Sequence, residues 1–271
     1  MKQKLFLIIT ALLFQRSFAQ ITFSSVLLDS TTREPVAFAN IGIPGKGIGT
    51  VSDEYGKFSL IIPDSLKDQI VRITMIGYQK TGFYPSENQH RSILLKPQQL
   101  ALKEVDITAK KIKVKILGND TKTKRVQGGF SKNYLGAELA TLMNIKHKGT
   151  QLTRFFINIS ANSLSVNPVF RINIYKPDQD RKPGVNILQQ NIIVEAKEKT
   201  GLLEVDLKPY MIFTDEDVFV SIEWIKDLGD AKGLFFSTKL IGAPTYYKNA
   251  SQDKWEKIPS IGIGLHVEAM Y

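Results

Sequence analysis

Three histidines, His90, His147 and His266, are the chain's only imidazoles. None stands in an H-x-x-x-H or H-E spacing, so no sequence-local zinc motif is present. A zinc site would have to gather ligands from distant strands. A Ser-His-Asp triad meets the same demand, and no G-x-S-x-G elbow is present. A metal-dependent hydrolase is therefore the lower alternative, and the chain reads as no enzyme. Asp215-Glu216-Asp217 is the densest carboxylate run beside a strong strand. Calcium held in such an inter-strand loop would stiffen a sandwich, whereas a solvated turn would need no ion. Calcium is the one cofactor for which candidate ligands stand out.

The other suggestive group is aromatic. Tyr246, Tyr247 and Asn249 precede Trp255 by a few residues. Aromatic rings stack on the apolar faces of sugars while amides bind their hydroxyls, so an exposed loop of this kind would bind a glycan. The alternative is cross-strand packing in a hairpin with residues 249–253 at its tip.

The elements that must carry these residues are strands. Phe58, Leu60 and Ile62 alternate with polar positions, as do Val71, Ile73 and Met75, and Gly, Pro and Asp fall between the runs. From about Gly128 the alternation is longer: Phe155-Ile157-Ile159, Phe170-Ile172-Ile174, Leu203-Val205-Leu207, Val218-Val220-Ile222-Trp224 and Ile261-Ile263-Leu265-Val267. No helical stripe lasts three turns. The fold class is all-β, with two antiparallel β-sandwiches: a small transthyretin- or Ig-like module over 21–109 and a jelly-roll-like one over 128–271. Residues 110–127, lysine-rich and short of aromatics, read as a linker.

Residues 1–19 combine Lys2 and Lys4, an apolar run of about ten residues and small residues at Ser17 and Ala19, the pattern of a secretory signal peptide cut after Ala19. The run is about half of what a spanning helix needs, so the mature chain is expected to have no transmembrane segment. The absence of cysteine removes disulfides and thiolate chemistry. The formal charge is +10, of which Lys2, Lys4 and Arg16 contribute three, leaving +7 on the mature chain. Export makes nucleic acid the wrong partner for that charge.

One set of motifs resembles a known family. Asp29 to Ile41, with Glu34-Pro35-Val36 leading into an alternating strand, is similar to the opening of carboxypeptidase regulatory-like domains. Gly49-Thr50-Val51-Ser52-Asp53-Glu54-Tyr55-Gly56-Lys57-Phe58 resembles the family's G-T-x-T-D-x-x-G-x-F signature, and Ile76-Gly77-Tyr78 its x-G-Y. Leu102 to Ala109 resembles the exit found where this module precedes the plug of outer-membrane TonB-dependent receptors. The motifs read structurally: Asp53 accepts backbone N–H groups in a tight turn, Gly56 takes a positive φ, and Phe58 returns to the core. The stretch beyond Ala109 resembles no plug and is shorter than a large barrel needs, so transport is not implied. The resemblance implies an exported, non-catalytic accessory or binding protein of the bacterial cell envelope, in the periplasm, at the outer membrane or secreted. Its expected partner is an envelope protein or a cell-surface glycan.

Overall fold

In Lys57–Pro63, Phe58, Leu60 and Ile62 are buried while the side chains between them are wet or half-wet, as a strand with one solvated face requires. The same rule builds most of the chain in the computed structural model, which describes residues 20–86, 92–98, 113–130, 134–227 and 233–271. The signal-like segment, His90 and the exit motif at 102–109 lie outside the described residues.

The first domain contains β1 (Gln20–Asp29), β2 (Asn40–Ile43), β3 (Ile48–Val51), β4 (Lys57–Pro63), β5 (Val71–Thr74), β6 (Thr81–Phe83) and β7 (Ile93–Leu95). They form two sheets, ordered β4-β1-β7 and β3-β2-β5-β6. Pairing is antiparallel except between β1 and β7, which run parallel from Leu27 opposite Ile93 to Asp29 opposite Leu95. Phe23, Leu27, Ile41, Phe58, Leu60, Ile62 and Ile73 meet between the sheets.

The second domain begins earlier than expected. Within the span read as a linker, β8 (Val114–Gly118) forms and pairs antiparallel with the final strand, Val114 opposite Met270 and Gly118 opposite His266. This corrects the linker reading. An edge strand's unpaired N–H and C=O groups are satisfied by the chain that arrives there, whatever its lysine content. Thereafter come β9 (Gln127–Phe130), β10 (Glu138–Met143), β11 (Thr150–Asn162), β12 (Val169–Pro177), β13 (Pro183–Asn186), β14 (Ile192–Glu195), β15 (Gly201–Asp206) and β16 (Phe213–Thr214). The last are β17 (Val218–Trp224), β18 (Leu234–Leu240), β19 (Thr245–Lys248), β20 (Glu256–Ile258), β21 (Ile261–Ile263) and β22 (Leu265–Met270).

One sheet runs β13-β12-β17-β10-β19-β20, with β14 beside β12; the other runs β21-β18-β11-β22-β8, with β9, β15 and β16 on its members. The chain passes repeatedly between them, and Phe130, Phe170, Trp224 and Phe236 pack edge-on or stacked in the space between. Strand β17 is buried along its whole length. Val218, Val220, Ile222 and Trp224 face this core, so Ser221 and Glu223 are buried on the opposite face. Among the described residues no helix is long and apolar enough to cross a membrane.

Candidate functional site

The hairpin β19–β20 does not end in solvent. Its tip enters the first domain. Ser251 is fully buried, and its hydroxyl donates to Asn40 Oδ1 at 2.6 Å. Gln252 Nε2 donates to Thr74 Oγ1 at 2.7 Å, the Gly45 N–H to the Gln252 carbonyl at 2.9 Å, and the Gly47 N–H to Asp253 Oδ1 at 3.0 Å. Glycines make the room. A Cβ at Gly42 would come 2.5 Å from the Ser251 carbonyl oxygen, and one at Gly49 or Gly136 would overlap the same residue. Gln252 adopts φ 62°, a left-handed conformation that costs a non-glycine residue energy and persists only where surrounding bonds fix it.

Beside this seat lies a buried cluster of charges on the outer face of the seven-stranded sheet. Arg171 donates through Nε and Nη2 to Glu223 Oε2 at 2.9 and 2.8 Å, and through Nη1 to the Phe38 carbonyl of the first domain at 2.7 Å. Lys248 Nζ lies 2.6 Å from Glu138 Oε2. Asn173 Nδ2 donates to both Glu138 and Glu223, and Tyr175 and Ser221 donate their hydroxyls to Glu138. Burial alone pushes the Glu138 carboxyl up, but the Lys248 ammonium with the Ser221 and Asn173 donors holds it below its ordinary value. Burial likewise opposes the charge on Lys248 and on Arg171, and the facing carboxylates Glu138 and Glu223 raise both above their usual range. Glu138, Lys248 and Arg171 are therefore ionised near neutral pH. Glu223 Oε1 is buried without a hydrogen-bond partner.

The residues singled out from sequence are spread over several places. Tyr246 is buried, its ring 4.8 Å from that of Phe219 at 73°. Trp255 meets Tyr175 edge-on, with Lys248 Nζ 5.0 Å above its ring. Tyr247 and Asn249 point the other way and line a cavity of about 190 Å³ with Tyr134 and several isoleucines. The four glycan candidates thus divide between the two faces of the β19–β20 hairpin. Asp215 Oδ1 accepts the Gly149 N–H at 2.8 Å, Asp217 Oδ1 accepts the Ile145 N–H at 2.9 Å, and Glu216 pairs with Lys176. Calcium would have to compete with all three contacts. His147 stacks on Tyr271 and His266 on Phe156, so the described imidazoles stand apart.

The turn after β3 is built as its residues require. Asp53 Oδ1 accepts the N–H groups of Tyr55 and Lys57, each at 2.8 Å, Gly56 has φ 72°, and Phe58 is buried. Gly77, at φ 85°, turns the chain so that the Tyr78 hydroxyl donates to Asp29 Oδ2 at 3.0 Å, while Asp29 Oδ1 caps the Thr31 and Thr32 N–H groups. A family model for the CarboxypepD_reg-like domain matches residues 25–107. Residues 25–107 are a CarboxypepD_reg-like domain. Such domains are non-catalytic modules. The motifs of the CarboxypepD_reg-like domain serve its turns, and its β2, β3 and β5 segments receive the Ser251 tip.

No curated protein matches the chain. Among solved structures, the T13 viral particle of infectious bursal disease virus aligns at 11% identity and TM-score 0.30, over 93% of this chain and 60% of that one. The Gx strain of the same virus aligns at 9% and 0.28, over 94% of this chain and 66% of that one. Similarity that low bears on neither fold nor function.

Glu138, Arg171, Glu223 and Lys248 were not distinguishable in the sequence as a group. Each occupies the alternate face of an otherwise apolar strand, the position normally given to solvent. Opposite charges at or near one end of each of four strands were the available signal, but using it requires knowing that β12, β17, β10 and β19 are neighbours.

Proposed function

We propose that this chain is an exported, non-catalytic binding protein of the bacterial cell envelope, in which the CarboxypepD_reg-like domain is seated on the second sandwich and the two present one joint surface to another envelope component. The observation that carries the reading is the seat itself. Charged groups of the kind enzymes use, Glu138, Arg171, Glu223 and Lys248, sit under the first domain and bind one another and the Phe38 carbonyl. A module locked in this way suits recognition, because no interdomain freedom is lost on binding. Export is supported by the signal-like residues 1–19, and the envelope by the receptor-like exit motif at 102–109.

Fractionation of cells expressing the tagged full chain, followed by affinity purification from solubilised membranes and from periplasm, tests it. A cleaved N-terminus at Gln20 and a stoichiometric envelope partner are expected. Retention of residues 1–19 in a cytoplasmic protein would remove the proposal.

A further inference from the structure

Among the described residues, one end of the second sandwich is incompletely filled. Between the edge made by β9, β18 and β21 and the hairpin β19–β20 lies the cavity of about 190 Å³, walled by Phe130, Leu139, Ile258, Ile261 and Ile263. Thr238 and Thr245 also line it, but their hydroxyls donate to the Phe236 and Ile261 carbonyls. Three further polar side chains on its lining are Tyr134, Tyr247 and Asn249. The Tyr247 hydroxyl donates to Glu256 Oε2 at 2.6 Å and keeps its own lone pairs for an incoming donor. Asn249 is exposed and offers both an N–H donor and a carbonyl acceptor.

We infer that this cavity is a binding site for a small amphiphile, with a compact aryl or alkyl body and a single hydroxyl or amide end. The volume suits such a body, since apolar cavities of about 150 Å³ already hold benzene. Sugars fit poorly. Their hydroxyls point in every direction, and those pressed against Ile258, Ile261 and Ile263 would be buried without partners. The apolar body occupies the isoleucine wall, and the polar end meets Tyr247 and Asn249. This site is independent of the envelope reading, because it requires neither export nor a protein partner.

Titration calorimetry of 1-hexanol and p-cresol into the mature chain, residues 20–271, tests the inference, with maltose and N-acetylglucosamine as comparison ligands. Saturable binding of both amphiphiles, with Kd near or below about 1 mM, is expected. Asn249→Ala should weaken p-cresol about fivefold, the size of one lost hydrogen bond. Gly128→Leu should abolish binding by filling the cavity from β9; Ile258→Trp does the same from the exposed hairpin if Gly128→Leu fails to fold. No saturable heat with either amphiphile, binding unchanged in a filled variant that melts normally, or tighter binding of the sugars would overturn it.

Discussion

Lys248 and Glu138 show how much one buried pair determines. Replacing Lys248 by Met keeps the stem's packing and removes the charge, leaving a buried carboxylate with neutral donors but no ammonium partner; a loss of about 3–5 kcal/mol is expected, read as a fall in the urea midpoint at pH 7. The pH response should also change sign. In the wild type the Glu138 pKa is depressed, so its contribution is present above the ordinary carboxylate value of 4.5 and is lost as pH falls through the lower folded value. In Lys248→Met, burial dominates and raises that pKa, so acidification from pH 7 to pH 5 should narrow the variant's deficit relative to the wild type, a difference in which the shared His266 response cancels. Tyr78 gives the alkaline counterpart. Its pKa is pushed up to about 12, first by burial and then by its hydrogen bond to Asp29, so its contribution is intact below 10 and disappears as pH rises through 12. Tyr78→Phe should cost about 1 kcal/mol at pH 7, and that difference from the wild type should vanish by pH 12 in parallel alkaline melts.

At the scale of elements, the tip of β19–β20 is held by shape more than by charge. Gly49→Ala places a methyl group where the Ser251 backbone lies, and about 1–3 kcal/mol of destabilisation is expected in thermal melts. Alanine at Gly45, whose Cβ would meet nothing, costs only its left-handed backbone and should be milder. The contrast separates steric from conformational effects. These elements also mark what the sequence makes legible. The alternation in Lys57–Pro63 and in Val218–Trp224 is local, and so are the Asp53 turn and the Gly77 bend, each readable from a few neighbouring residues. The docking of Ser251 depends on partners about two hundred positions away, Asn40 and Gly49, and nothing within reach of Ser251 encodes it. Strand β8 was hidden for a related reason: its apolar pair Val114 and Ile116 faces outward and is exposed, so it is held by backbone pairing with β22 rather than by burial of its own side chains.

For the whole molecule, the two sandwiches share bonds at Phe38, Asn40, Thr74 and Gly47, and Ile76 of the first packs against the core of the second. Calorimetry of residues 20–271 should therefore show one endotherm, and Ser251→Trp, too large for its seat, should split it into two. A split endotherm in the wild type would mean that the junction contributes little.

The unit that inheritance copies and the unit that folds do not share a border here. Residues 25–107 match one family model as a unit, yet in this chain the groove lined by Gly42 and Gly49 is filled by residues 250–253, encoded more than a hundred positions beyond the module's end. A gene segment cut at the module's edges would yield a protein with an open slot, and transplanting it into another chain would require that chain to supply its own Ser251.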